Sequence, residues 1–145
     1  MRAKTLTPKM LMNRVFKRLI RLEKLSFLEQ YAMFMGKTQL VESALKQRLV
    51  EKYGFDEARV EKWTLGRAIN ELESNGLRPD FIALLRELLE YRNDLAHEFL
   101  AVHAFMQSLA GSKAGRLSAK QLRMALYKVE EVIVVHDFLN ENGGL

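Results

Sequence analysis

Residues 26–54 read SFLEQYAMFMGKTQLVESALKQRLVEKYG. Ser26 followed three residues later by Glu29 is a capping-box pattern, in which each side chain accepts from the other residue's backbone N–H. Beyond it Phe27, Tyr31, Phe34, Val41, Leu45 and Leu49 mark a long helix with one apolar face. Gly54, after Tyr53, supplies the left-handed residue that closes such a helix.

The flanking sequence repeats this grammar. Upstream, Thr7 is a candidate N-cap and Pro8 suits a first helical turn, where a missing N–H costs nothing. Leu11, Val15, Leu19 and Leu22 then form one buried stripe, with Met12, Phe16 and Ile20 beside it and a basic outer face. Downstream, a short turn of helix is predicted over 56–62, with Trp63 packed beneath it. Thr64 caps a helix carrying Leu65, Ile69 and Leu72 that ends at Asn75–Gly76. Pro79 restarts the chain, and Phe81, Leu84, Leu85, Leu88 and Leu89 form the next apolar face. Residues 95–109 continue with Phe99, Leu100, Val102 and Phe105. Residues 111–115 read as a loop, and Ser118 with Gln121 caps a last helix through Leu122, Leu126, Val129, Ile133 and Phe138. Asn142–Gly143–Gly144 should fray. No stretch alternates like a strand. Five or six helices joined by short loops make an all-α antiparallel bundle the economical architecture. The chain reads as a single domain overall, in which a basic amphipathic helix within 1–24 packs on or extends a bundle spanning 25–145.

At 145 residues the chain is long enough for one real core, and 48% hydrophobic content is ordinary for a folded protein. The absence of cysteine excludes disulfides and thiolate metal sites and fits a reducing, cytoplasmic setting. No apolar run approaches the roughly 18 residues of a membrane span, and no secretory segment follows the basic start. The net charge of +5 is unevenly placed, with eight cations against Glu23 alone in residues 1–24. A second basic stretch, with Lys113, Arg116, Lys120, Arg123 and Lys128, contains no acid over 108–128. Arg14, Lys17, Arg18, Arg21, Lys113, Arg116 and Lys120 are therefore candidate contacts to a polyanion such as RNA. The simpler reading is a solvated helix face, and an anionic membrane surface is a third.

The residues that can carry chemistry lie in YRNDLAHEF, 91–99. Arg92 brings a permanent cation whose planar fork suits phosphate. His97 titrates near neutrality and can take or give a proton, and Asn93 can orient an imidazole or donate to a phosphoryl oxygen. On an unbroken helix Asn93 and His97 share a face, whereas a five-residue step from Arg92 to His97 turns roughly 140° at about 100° per residue. A helix beginning at Asn93 or Asp94 would bring all three together and place His97 in a first turn, where the dipole lowers its pKa. With a continuous helix, a partner chain has to reunite the groups. The plainer alternative is a polar patch, with Arg92 paired to Glu90 or Asp94.

Arg92, Asn93 and His97 resemble the signature of the HEPN family: an arginine, a polar residue that is often asparagine, a few variable residues and a histidine. The resemblance extends to the all-helical plan over residues 25–140 and to the motif's place late in the chain. It implies a HEPN-like bundle, a two-fold homodimer with the motifs facing each other, and metal-independent RNA cleavage without a cofactor. It implies a catalytic role for Arg92, Asn93 and His97, and a setting as the toxin of a toxin–antitoxin or phage-defence module with a possible antitoxin protein. Some toxin members carry a tyrosine two residues after the histidine that a partner enzyme modifies; Phe99 stands there, so that regulation does not transfer. Two other readings stay open: a non-catalytic HEPN module binding RNA or a nucleotide, and a helical interaction or scaffold protein.

Other polar residues carry weaker signals. His103 and His136 lie on apolar helices and read as core or interface residues. Glu42 and Glu87 either orient the site or pair at the surface, with Lys46 or Arg48 and with Arg86. Met33, Met35, Met106 and Met124 read as adaptable filler of core or dimer contact. The three histidines show no metal-ligand spacing.

Overall fold

The structure, a computed structural model, describes residues 5–108 and 112–145, with side chains described over 5–98 and 119–145. Six helices follow in order among the described residues: α1 (Pro8–Ile20), α2 (Phe27–Glu51), α3 (Glu57–Glu61), α4 (Leu65–Ser74), α5 (Pro79–Ser108) and α6 (Ser112–Glu141). The architecture is an all-α bundle, as the helical periodicities predict.

The helix starts form as their sequences dictate. Thr7 accepts from the Met10 N–H at 3.2 Å, with Pro8 in the first turn. Ser26 and Glu29 close a reciprocal capping box, both bonds at 3.2 Å. The carboxylate of Glu29 is held below its usual pKa, chiefly by the Ser26 hydroxyl and then by the Ser26 backbone N–H. Thr64 accepts from the Arg67 N–H at 3.2 Å. Gly54, at φ 73°, turns the chain out of α2 in the left-handed region where a side chain would be strained.

Two boundaries differ from the sequence reading. α6 begins at Ser112, not at Ser118, so the expected loop over 111–115 is helical from 112 onward. Lys113, Ala114 and Arg116 are good helix formers, and a single interior glycine costs only about 1 kcal/mol. The expected fraying at the C-terminal end is absent too. Gly143 adopts φ 73°, the Gly144 N–H reaches the Leu139 carbonyl at 2.7 Å, and Leu145 packs against the core. That is a Schellman closure with its hydrophobic contact.

Buried Phe34, Leu45, Leu49, Ile69, Leu72, Phe81, Leu85, Leu88, Leu122 and Val129 form the core between α2, α4, α5 and α6. Side-chain pairs fix the directions of the long helices. Lys37 meets Glu130 and Arg48 meets Asn140, so α2 and α6 run parallel. Lys128 bonds Glu87 and His136 lies beside Phe81, so α5 runs antiparallel to α6. α1 lies along α6 in the opposite sense, with Ile20 near Met124 and Arg14 near Asp137.

Two polar residues are buried among the described ones: Thr38, whose hydroxyl donates to the Phe34 carbonyl at 2.8 Å, and the charged Glu130. Glu130 of α6 is 0% exposed, and its two carboxylate oxygens are taken by Arg18 of α1 and Lys37 of α2. A buried carboxylate is tolerated only when its charge is matched and its lone pairs are used. Here three helices converge on it. Arg18 and Lys37 approach from the partly exposed side, so each keeps some contact with water.

Breaking a buried pair from the carboxylate side costs about 3–5 kcal/mol in comparable proteins. Because both cations can turn outward, Glu130→Ala should cost somewhat less, about 2–4 kcal/mol. Arg18→Gln, which leaves Lys37 in place, should cost about 1 kcal/mol. Urea unfolding of the three proteins checks this order, and equal midpoints for wild type and Glu130→Ala would remove the triad from the stability of the fold.

Candidate functional site

α5 runs without interruption through Arg92, Asn93 and His97. Of the two arrangements left open by the sequence, the continuous helix forms and the helix start at Asn93 or Asp94 does not. Those residues are good caps, but Leu95 is buried and extends the stripe of Phe81, Leu85 and Leu88. Burial of one leucine outweighs the few tenths of a kcal/mol that interior asparagine and aspartate cost a helix. His97 consequently lies far from the positive end of α5, and the first-turn position that a helix start would give it does not occur.

The backbone alone would turn Arg92 away from His97, and the side chains reduce that divergence. Arg92 Nη1 donates to Asn93 Oδ1 at 3.1 Å, folding the guanidinium toward the neighbouring residue. Asn93 in turn shares a helix face with His97, one turn further on. Neither Glu90 nor Asp94 is within ion-pair distance of Arg92, so the plainer pairing does not occur. Arg92, Asn93 and His97 are all exposed. Among the described residues the arrangement is an exposed row of guanidinium, amide and imidazole groups along α5.

Tyr31, in the first turns of α2, belongs to this neighbourhood and was read from sequence only as a member of an apolar stripe. Burial raises the pKa of its phenol, and the Arg92 charge acts in the opposite direction. The two groups are thus electrostatically in touch across α2 and α5. A tyrosine on an apolar stripe carries a hydroxyl that needs a polar neighbour, and that was the available signal.

The secondary candidates divide. Glu42 pairs with Lys46 at 3.6 Å, one of the alternatives read from sequence. Glu87 bonds Lys128 at 2.5 Å, while its expected partner Arg86 meets Glu73 at 3.1 Å and Asn70 at 3.1 Å. Neither carboxylate thus turns to the motif. His136 is half-buried, beside the ring of Phe81 and within 3.2 Å of Asp137. Met35 packs against the core, whereas Met33 and Met124 are exposed. The side chains of Phe99, His103 and Met106 lie outside the described residues.

The expected basic surface is not one uniform face. Arg18 turns inward to Glu130. Arg14 and Lys17 are exposed but line a shallow cleft that also contains Asp137 and Glu141, which partly offset their charge. Arg21 and Lys120 are exposed, and the side chains of Lys113 and Arg116 lie outside the described residues. On the other flank of α1 the surface is apolar. Phe16 is 49% exposed, Ile20 60% and Met124 49%, and Phe16 meets Tyr127 edge-on at 5.7 Å. These residues line an open groove of about 780 Å³ between α1 and α6. Among the described residues no cluster of histidine, aspartate and glutamate has the geometry of a metal site.

The coupling of Arg92 to Tyr31 has a measurable sign. Because the guanidinium favours phenolate, Arg92→Ala should raise the titration midpoint of Tyr31 further above that of an ordinary tyrosine. Ultraviolet titration at alkaline pH, with Tyr31→Phe assigning the signal, measures it; an unchanged or lowered midpoint would show that the two groups do not interact.

No family model matches the chain, and no curated protein or solved structure shows significant similarity to it.

Proposed function

We propose that the chain is a metal-independent endoribonuclease of the HEPN type, active as a homodimer in which Arg92, Asn93 and His97 of each copy form one composite site. The observation that carries this reading is the Arg92–Asn93 hydrogen bond, which turns the guanidinium toward the His97 face of an unbroken helix.

A single exposed row holds one imidazole, while cleavage by the ribose 2′-OH needs a base and an acid. A two-fold axis beside α5 supplies the second His97. One imidazole takes the 2′-OH proton as the oxygen attacks phosphorus. The other protonates the departing 5′ oxygen, leaving a 2′,3′-cyclic phosphate. The two Arg92 side chains stabilise the charge that builds on the phosphoryl oxygens. Asn93 holds its own arginine and is available to the phosphate through its amide N–H groups. Flexible, single-stranded RNA reaches in-line geometry most easily and is the expected substrate.

Association has a surface available to it. From the α5–α6 contacts, Arg92 lies level with residues near Met124 of α6. Phe16, Ile20 and Met124 expose apolar area close to that end of the bundle, and contiguous exposed apolar surface is characteristic of interfaces. A toxin role, a cytoplasmic site of action and an antitoxin that covers the motif belong to the same proposal. Phe99 offers no hydroxyl for modification, so such an antitoxin would act by binding.

Purified protein incubated with single-stranded RNA in EDTA should release fragments ending in 2′,3′-cyclic phosphate. His97→Ala should lower the rate by about 10²–10⁴-fold and Arg92→Ala by about 10²–10³-fold, with circular dichroism unchanged. Equal activity in wild type and both variants would refute the assignment. Retention of RNA without any cleavage product would leave a binding module in its place.

A further inference from the structure

Trp63 joins α3 to α4 and is the only tryptophan of the chain. It is 6% exposed, packed edge-on against Phe55 with ring centroids 5.4 Å apart. Two arginines approach its indole. The guanidinium carbon of Arg67 lies 4.6 Å from the ring centroid and that of Arg59 lies 6.0 Å from it. With Lys62, Ala58 and Asp56 they line one open cleft of about 580 Å³.

The cations of this cleft lack the carboxylate partners that several other arginines have. Arg18, Arg78 and Arg86 each have a carboxylate partner. Among the described residues, no carboxylate is within ion-pair distance of Arg59, Lys62 or Arg67. Asp56 lines the cleft without pairing and leaves it with an excess of positive charge. The helix dipole favours Arg59 and Lys62, which stand at the C-terminal end of α3, but it does not account for Arg67. Arg67 stands in the first turn of α4 and Glu71 and Glu73 in the last, each the reverse of what a helix dipole favours.

We propose that the cleft between α3 and α4 binds a phosphate group through Arg59, Lys62 and Arg67. An arginine held against an aromatic ring keeps its guanidinium in a fixed plane, with the N–H edge directed away from the ring. Two such edges and an ammonium match the oxygens of a phosphate, and pre-positioning lowers the cost of ordering them on binding. The buried indole is already packed by Phe55 and its arginines, so no base stacks on it. Recognition therefore reads phosphate and not base identity. A backbone phosphate of RNA and the phosphate of a free nucleotide present this same group. The site uses none of Arg92, Asn93 or His97, so it stands whether or not the chain cleaves RNA.

The lone tryptophan reports the site directly. Intact protein is titrated with inorganic phosphate, with AMP and with a short 2′-O-methyl oligoribonucleotide, which lacks the hydroxyl needed for cleavage; sodium chloride at matched ionic strength is the control. Indole emission should change saturably with at least one phosphate ligand and not with chloride. Arg67→Gln and Arg59→Gln should each weaken that binding by about tenfold, the loss of one charge-assisted contact. Arg67→Lys, which keeps the charge without the planar fork, should fall between. Thermal unfolding verifies that the variants are folded. Tighter binding of the oligomer than of AMP identifies an RNA backbone as the source, and the reverse identifies a nucleotide. No saturable change with any of the three ligands would overturn the proposal, as would saturation that both glutamine variants leave unaltered.

Discussion

The carboxylate of Glu130 is the constraint around which this bundle is organised. A charge removed from water cannot be left alone, and the two cations that meet it come from α1 and α2. The register of three helices is thereby set by one residue. Apolar side chains can slide past each other at modest cost; a buried ion cluster has one arrangement that satisfies it. The same cluster removes Arg18 from the basic exterior and fixes α1 so that its Phe16–Ile20 flank faces solvent. The arrangement of α1 that exposes an apolar strip and the arrangement that satisfies Glu130 are one and the same.

Much of the fold was legible from local rules. Thr7, Ser26 and Thr64 cap where their hydroxyls and following residues require, α4 buries as its spacing predicts, and the α2 stripe buries from Phe34 onward while Phe27 at its start stays exposed. Reading failed where a tertiary contact overruled a local preference. Asn93 and Asp94 look like a helix start, but Leu95 is drawn into the core and α5 continues. Met12, Phe16 and Ile20 widen the apolar arc of α1 beyond what α6 covers, and nothing local distinguishes the covered part from the exposed part. Glu130 was detectable as an anomaly, since it stands four residues after Leu126 and three before Ile133, on the buried stripe. Its partners were not, because Lys37 and Arg18 are 93 and 112 positions away in sequence.

The candidate site shows the same division. Sequence supplied the residue types and the shared face of Asn93 and His97. It could not supply the hydrogen bond by which Arg92 turns toward that face, because a rotamer depends on what surrounds it. Nor could it show Tyr31 lying within the field of Arg92, since the two stand on different helices. The Trp63 cleft was hidden for a related reason. Arg59 and Arg67 are unremarkable surface cations until the α3–α4 turn brings both to one indole.

The parallel course of α2 and α6 has a topological consequence. Two neighbouring helices pointing the same way need a return leg between them, and here α5 makes that journey. The motif is carried on this connecting strut. Adding or removing a residue between Phe81 and Arg92 would rotate Arg92, Asn93 and His97 by about 100° about the α5 axis relative to its anchored start. Holding the motif in place instead would pass the misfit on to the meeting of Lys128 with Glu87 and to whatever follows it in α6. Substitution can therefore explore the chemistry of the row freely, whereas a change of length between its anchors cannot leave the rest of the bundle undisturbed.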